Sequence, residues 1–452
     1  MKSLLAFLVL APFGLAVEQD KAPRPNFVIM MCDDQRWDAM SLAGNAILKT
    51  PNMDRIGREG IVFKNAFVTN ALCGPSRATL LTGTFSHTHG MIDNRPKTEI
   101  RPGVPWMPDL LREAGYEVAF CGKSHQRGAL RDRKWDYYFG YQGQGRYKDP
   151  VIAEGTDGKD TVYKGWMDDV VTDKAVSWLK GRKDKPFCLF LFFKACHRSW
   201  DRPARLENLY SDIKVPKPEL WDDKGEGKPK AFIDADNKVG GFKDILDYDK
   251  FMKDYYATLA GADENIGRVL ETLTSIGKLD DTMVLHTGDN GFFLGEWQRF
   301  DKRFMHEVSI RVPMVVRYPK LIKPGSVSDR MVLNNDIAPT MLDLAGVAIP
   351  KEMQGRSWAP LFKDPKAEFR KDWLYEYYEY PDAHKVKPHR GVRTEQWKLI
   401  HYYQEPEEFE LYDLAADPWE KVNLYGKTEH ADRVKQLKAR IGELRKESGD
   451  TP

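Results

Sequence analysis

Four short apolar runs each end in a group of polar, chemistry-bearing residues, and this pattern restricts the fold more than any other feature of the chain. Residues 26–32 run into Asp33-Asp34, and 118–121 run into Gly122-Lys123-Ser124-His125. Residues 187–193 lead to Lys194 and His197, and 282–287 run into Gly288-Asp289-Asn290-Gly291. Unbroken apolar runs of this length suit strands buried on both faces. Between them, 107–114 (closed by Gly115), 167–179 and 255–276 (closed by Gly277) carry apolar residues at helical spacing. Strand alternating with helix predicts an α/β fold with a largely parallel sheet. In such sheets ligands bind beyond the carboxyl ends of the strands, so four strands delivering these residues to one edge predict one site.

Polar, Gly- and Lys-rich stretches at 148–160 and 222–230 read as surface insertions. From about residue 365 the character changes. Segments 372–380, 391–393, 397–403 and 410–413 read as short strands and 429–446 as a helix, predicting a small α+β subdomain with an antiparallel sheet. The expected division is a leader at 1–16, a catalytic domain at 24–364 and a C-terminal subdomain at 365–452. The leader reading rests on Lys2, the apolar run 4–15 and the small-residue site Gly14-Leu15-Ala16, and it implies a periplasmic or secreted protein. No later stretch approaches the ~20 apolar residues of a membrane-spanning helix. With 69 Lys and Arg against 67 Asp and Glu, the net charge of +2 gives no global field for nucleic acid or a membrane surface. Attraction for an anionic substrate must then come from a local cluster. Five cysteines leave at least one thiol unpaired, and whether the others pair stays open.

Asp33, Asp34, Asp289 and Asn290 offer only oxygen ligands, which match a hard cation, Ca²⁺ or Mg²⁺, better than zinc. Each pair alone is a common turn sequence; together at strand ends they read as a ligand set. The segment Leu72-Cys73-Gly74-Pro75-Ser76-Arg77-Ala78-Thr79-Leu80-Leu81-Thr82-Gly83 is the strongest single signal. Pro75 suits the first turn of a helix, so Cys73 is expected at a helix N-terminus, where negative charge is favoured. Arg77 follows one turn later, placed to face the same anion.

Cys-x-Pro-Ser-Arg followed by Ala-Thr-Leu-Leu-Thr-Gly resembles the signature of the type I, formylglycine-dependent sulfatases. The resemblance extends to 25–34, to Gly115-Tyr116 with Gly122-Lys123-Ser124-His125, and to Gly288-Asp289-Asn290-Gly291 with Leu294-Gly295-Glu296 and Lys302. It continues through Ser309-Ile310-Arg311-Val312-Pro313 and the close Glu410-Leu411-Tyr412-Asp413-Leu414, Asp417-Pro418, Glu420 and Asn423-Leu424. Two departures stand out: Ser124 in place of the family's usual Trp, and Arg198 after His197 in place of the common Pro. The resemblance implies an alkaline-phosphatase-like sheet sandwiched by helices, and a Cα-formylglycine made from Cys73 by a formylglycine-generating maturation enzyme. It also implies one divalent cation, Ca²⁺ in preference to Mg²⁺, on Asp33, Asp34, residue 73, Asp289 and Asn290. The hydrated aldehyde then attacks sulfur with help from Arg77, and His125 takes the proton of its second hydroxyl to free sulfate. His197 is expected to protonate the leaving oxygen, with Lys123 and Lys302 on sulfate oxygens.

Gly143-Gln144-Gly145-Arg146-Tyr147, His197-Arg198-Ser199-Trp200 and 377–401 resemble the bacterial glycan sulfatases, within them the enzymes that remove 6-O-sulfate from N-acetylglucosamine or glucosamine in glycosaminoglycans and mucins. That likeness makes a sulfated glycan the expected substrate and His384, His389 and Arg390 candidate sugar contacts. Sulfatases of other glycans (2-O-uronate, galactose, algal polysaccharide) and phosphodiester or phosphonate monoester hydrolases on the same scaffold are the alternatives. A non-catalytic glycan-binding protein would show erosion of the cation set or of the cysteine motif, and neither is eroded. A transferase of the same superfamily usually carries membrane helices, which this chain lacks.

Overall fold

The computed structural model describes residues 24–125, 130–239 and 247–450; the expected leader at 1–16 lies outside them. Twelve strands among the described residues come before the C-terminal region. They are β1 (Asn26–Cys32), β2 (Ile61–Phe67), β3 (Glu117–Lys123), β4 (Tyr137–Tyr141), β5 (Val151–Glu154), β6 (Asp160–Val162), β7 (Phe187–Phe192), β8 (Thr282–Gly288), β9 (Phe293–Leu294), β10 (Phe300–Asp301), β11 (Met314–Arg317) and β12 (Ser326–Leu333). Ten form one sheet in the order β12-β2-β11-β8-β1-β7-β3-β4-β5-β6, while β9 and β10 make a separate two-stranded ribbon. The centre, β8-β1-β7-β3-β4, is parallel; β11 and the β5–β6 edge run antiparallel.

The strand alternation explains why β1 has no polar face. Phe27, Ile29 and Met31 enter one apolar layer and Val28, Met30 and Cys32 the other. The second layer is closed by the helices Met167–Lys180 and Tyr248–Ser275, the first by Cys73–Thr82, Met107–Glu113 and Ile337–Leu344. Register then aligns the strand ends: Cys32 pairs with Gly288, Met31 with Phe192, and Gly122 with Phe192. Gly122 must be glycine. Its φ is +111°, and a Cβ there would lie 1.9 Å from the Phe192 carbonyl oxygen.

The stretch read as an insertion at 148–160 instead extends the sheet as β5 and the start of β6, with Val151 and Val162 exposed on that edge. All five cysteines are free and buried. No helix among the described residues is long and apolar enough to cross a membrane.

The C-terminal sheet is antiparallel throughout: β13 (Asp372–Tyr377), β14 (His389–Thr394), β15 (Trp397–Tyr402) and β16 (Glu408–Asp413). One face (Leu374, Val392, Leu399, Leu411) packs under the helix Ala431–Glu447 through Leu437, Ile441 and Leu444. The other face (Trp373, Tyr375, Tyr377, Ile400, Tyr402, Tyr412) joins the apolar layer of the large sheet, so one core crosses between the two.

A buried ionic network stitches this seam. Lys228 reaches Tyr412 Oη (2.6 Å) and the Glu420 carbonyl (2.8 Å), so the 222–230 segment is not wholly a surface insertion. Lys398 pairs with Glu420 (2.6 Å) and Glu307 (2.9 Å), and Glu410 accepts from Tyr402 (2.7 Å). Burial alone would raise the Glu307 and Glu410 carboxyls. Lys398 and Arg393 outweigh it at Glu307, and His306 and Lys228 at Glu410, so both lie well below the usual glutamate value. The folded pKa being depressed, this stability is present above the unfolded value of about 4.3 and is lost as pH falls below it. Glu307→Gln should accordingly be less stable than its parent at pH 7 but lose less on acidification to pH 3, as followed by Tm across that range. Equal acid-dependent losses in the two proteins would contradict the assignment.

Candidate active site

Asp33 and Asp34 follow β1, Asp289 and Asn290 follow β8, and Lys123 ends β3, so parallel register brings them together. Asp33, Asp34 and Asp289 each offer an oxygen within 4.8 Å of the others, all fully buried. The Asp34 amide donates to Asp289 Oδ1 (3.0 Å). Asn290 Nδ2 donates to Asp34 Oδ1 (2.7 Å) and the Gly291 carbonyl (2.9 Å), which orients the amide and leaves Oδ1 a buried acceptor without a donor. A buried oxygen without a partner is costly, and beside three carboxylates it fits an oxygen-liganded cation. The donor set thus suits the hard cation expected from the sequence.

Cys73 opens the helix Cys73–Thr82, whose every residue is buried; Gly83, in the left-handed region at φ +68°, closes it. Cys73 Sγ lies 3.3 Å from Asp33 Oδ1, and Asp33, Cys73 and His197 form a second triad overlapping the first. Burial and the Asp33 charge push the Cys73 thiol well above its ordinary value. A thiol held neutral is a poor nucleophile, so the unmodified side chain is not suited to the work its position implies. Arg77, one turn on and fully buried, donates through Nε to Asp289 Oδ2 (2.9 Å) and through Nη1 to the Lys123 carbonyl (2.6 Å). It ties the start of this helix to the ends of β8 and β3.

The positive charges are as deliberately placed. Lys123 pairs with Asp33 and with Gln144 Oε1 (2.7 Å); Lys302 pairs with Asp34 Oδ1 (2.5 Å). Burial would raise Asp33, but Lys123, His197 and Arg77 hold it well below the carboxylate range. Asp289 goes the other way: burial and the Asp33 charge push it up to about 7 despite Arg77. Arg77, Lys123 and Lys302 stand against the three carboxylates, and the raised Asp289 is the member whose charge a bound cation would favour.

His197 Nδ1 lies 2.7 Å from the Arg198 carbonyl, a bond that places the Nδ1 proton there and leaves Nε2 facing the site, 3.8 Å from Asp34 Oδ2. His125 lines a cavity of about 290 Å³ with Met91, Asn94, Arg95, Gln142 and Gly143. Burial and then Lys123 lower both imidazoles well below the ordinary value.

Of the three candidate sugar contacts, the structure brings only His384 to this site. Its Nε2 lies 2.7 Å from Asp301 Oδ2 and 3.2 Å from Arg198 Nη2, beside Lys302. His389 is fully buried among the rings of Phe304, Tyr375, Tyr377 and Tyr402. Its neighbour Arg390 points to the opposite face, stacked on Tyr403 at 4.1 Å near Arg445 and Asp450. Successive strand residues face opposite sides, and neither side of β14 at this point is the pocket.

Several site residues had no sequence-level reading. Asp168 opens the helix Met167–Lys180 and accepts from the amides of Lys194 (2.8 Å) and Ala195 (3.2 Å), shaping the loop that presents His197. Asn94 Oδ1 accepts from the Gly74 amide (3.0 Å), and the Asn94 backbone N–H donates to Glu379 (2.8 Å). Asp301 and Arg303 flank Lys302 and pair with each other at 3.1 Å. Only Asp168, an acid in the first turn of a predicted helix, carried a detectable signal.

The sulfatase family model matches residues 25–347, and the model described as N-sulphoglucosamine sulphohydrolase, C-terminal, matches 295–447. An N-acetylglucosamine-6-O-sulfatase of Bacteroides thetaiotaomicron is 38% identical, covering 96% of this chain and 88% of the relative. The human N-acetylglucosamine-6-sulfatase is 26% identical over 98% of this chain and 88% of its own length. A solved structure in complex with its substrate D-glucosamine-2-N,6-O-disulfate superposes with a TM-score of 0.89 at 38% identity, covering 95% of this chain and 99% of that one. A phosphonate monoester hydrolase of Agrobacterium radiobacter shares the fold at 20% identity and a TM-score of 0.78, covering 94% and 96% of the two chains. With its cysteine motif at a helix start inside a buried acidic cluster, and with a family match over most of its length, this chain belongs to the sulfatase family and is a sulfuric ester hydrolase.

Proposed function

We propose that the protein removes 6-O-sulfate from terminal N-acetylglucosamine or glucosamine of glycosaminoglycans or mucin glycans, acting from the chain end. The observation that carries the chemistry is the placement of Cys73 Sγ 3.3 Å from Asp33 Oδ1, at a helix N-terminus and beside the cation ligand set. The sugar assignment is supported by the 38% identical N-acetylglucosamine-6-O-sulfatase, which spans nearly the whole chain.

In this reading Asp33, Asp34, Asp289 and Asn290, with residue 73, hold one Ca²⁺. When bound it would supply Lewis-acid stabilisation of charge on sulfate and on the attacking oxygen. Conversion of Cys73 to formylglycine by a maturation enzyme replaces the inert thiol with an oxygen nucleophile at the same place. Arg77 holds Asp289 and the Lys123 carbonyl, fixing the helix that carries the nucleophile. Lys123 and Lys302 hold sulfate oxygens, drawing the charge that the protein as a whole does not attract. His197 faces the departing sugar oxygen through Nε2; binding of the anionic sulfate favours the imidazolium, whose Nε2 proton then goes to that oxygen, and His125 accepts one from the nucleophile's remaining hydroxyl. His384 meets the sugar at the wall built by the C-terminal region. The protein is exported, and its leader is removed.

Matured protein with Ca²⁺ should release sulfate from 6-O-sulfated N-acetylglucosamine with a kcat/KM at least about 10³-fold above that for a phosphodiester, a discrimination of about 4 kcal/mol in transition-state binding. Ion chromatography of sulfate against phosphate assay of the diester provides the comparison. Faster phosphodiester cleavage would transfer the assignment to the phosphonate and phosphodiester hydrolases.

A further inference from the structure

Lys302 sits on a segment with no long strand behind it. It follows the two-residue β10, and both its neighbours adopt left-handed backbone, Asp301 at φ +75° and Arg303 at φ +90°. Non-glycine residues keep such conformations only where their surroundings over-determine them. Here the surroundings belong largely to the C-terminal sheet and the turn that follows it. Tyr375 Oη donates to the Arg303 carbonyl (2.6 Å), and Tyr377 Oη lies 3.1 Å from Arg303 Nη1. Lys398 Nζ donates to the Met305 carbonyl (2.8 Å).

Glu420 is the joint of this scaffold. One carboxylate oxygen accepts from Lys398 Nζ (2.6 Å), the other from the Glu307 amide (2.7 Å), and its carbonyl takes Lys228 Nζ (2.8 Å); the residue is 1% exposed. Buried ion pairs of this kind are often no more stabilising than apolar residues of the same volume, so their value lies in the geometry they impose.

We infer that Glu420 is a positioning residue for Lys302: it fixes segment 303–307 through Lys398 and the Glu307 amide, and so sets the ammonium that receives sulfate. The inference rests on the reading of Lys302 as a sulfate ligand. It gives the C-terminal sheet a part in sulfate binding as well as in walling the pocket.

The test is a double-mutant cycle on inorganic sulfate binding, measured by calorimetry on the full, Ca²⁺-loaded chain. Glutamine at 420 keeps the shape but offers one acceptor where two donors meet. Glu420→Gln should weaken sulfate about tenfold in the parent and by less than about twofold in a Lys302→Ala background, because a residue acting through Lys302 has nothing left to act on. Tm is recorded for each variant. If Glu420→Gln folds poorly, Lys398→Gln breaks the same link from its other end and enters the same cycle; it too should weaken sulfate only while Lys302 is present. Equal losses in both backgrounds, or unaltered sulfate affinity in Glu420→Gln, would overturn the inference. Undiminished sulfate binding by Lys302→Ala would instead remove the reading of Lys302 on which it stands.

Discussion

Cys73→Ser, prepared in a maturation-competent host, should release at most one sugar per enzyme molecule and then stop. Serine places a hydroxyl where Cys73 Sγ now lies, 3.3 Å from Asp33 Oδ1 at the start of the buried helix. That oxygen can be drawn onto sulfur by the neighbouring positive charges, but the ester it forms has no second hydroxyl to expel sulfate. The expected signature is a mass gain of about 80 Da on the protein and a steady-state rate lower by about 10⁵–10⁶, the range set by loss of a covalent nucleophile. Protein carrying unconverted Cys73 should be equally silent, since burial and the Asp33 charge hold its thiol neutral. Intact mass and sulfate release on the same sample decide the matter. Sustained turnover by Cys73→Ser near the parent rate would mean that water, and not residue 73, attacks sulfur.

The central strands were legible because they are buried on both faces. β1 was read with its observed bounds, and β7 and β8 to within one residue, since unbroken apolar runs need no partner to be recognised. The flanks were less legible. Ile61–Phe67 is interrupted by Lys64 and Asn65, and the four residues of β11 are too short a run to be recognised without the antiparallel neighbours β2 and β8. The polar 148–160 segment is strand only because β4 offers an open edge, an event of tertiary structure that leaves no local pattern. Lys228 shows the same limit from the other side. Its Gly- and Lys-rich context reads as solvated, yet Tyr412, Glu410 and Glu420, nearly two hundred residues later, draw it into the core.

The site was legible where chemistry coincides with strand ends and illegible where it depends on side-chain parity. Asp33, Asp34, Asp289, Asn290, Lys123 and His197 meet because parallel register aligns the carboxyl ends of β1, β3, β7 and β8; Cys73 and Arg77 join them from the helix Cys73–Thr82, and Lys302 from the segment after β10. His389 and Arg390 were candidates through the family likeness of the C-terminal region, but a strand sends adjacent side chains to opposite faces. One side of β14 is the aromatic seam and the other lies under the terminal helix, a distinction that only the packed structure contains. Asn94 had no signal at all: its acceptor role depends on a loop folding back onto the Gly74 amide.

Asp289→Asn should abolish most of the stabilisation that the cation confers and lower kcat/KM by at least about 10³-fold. Asp289 serves two partners: Oδ1 faces the Asp34 amide and the carboxylate cluster, while Oδ2 takes Arg77 Nε and Nη2 at 2.9 and 2.8 Å. Removing its charge therefore weakens the cation site and loosens the guanidinium that fixes the nucleophile helix. The two effects separate experimentally. For the parent, saturating Ca²⁺ at about a thousandfold above Kd adds roughly 4 kcal/mol to stability. If the variant binds about a hundredfold more weakly, the same Ca²⁺ adds only about 1.4 kcal/mol, so its Tm should respond far less to metal. In chelator the comparison isolates Arg77. Asp33, 3.7 Å from Nη2, still balances the buried guanidinium, so the cost should fall below the about 3–5 kcal/mol of a wholly unpaired buried charge. Thermal unfolding of both proteins with Ca²⁺ and with chelator measures each quantity. A Ca²⁺-dependent Tm rise in Asp289→Asn as large as the parent's would show that the cation is held elsewhere. A large loss of equal size in Ca²⁺ and in chelator would show that Asp289 serves Arg77 alone.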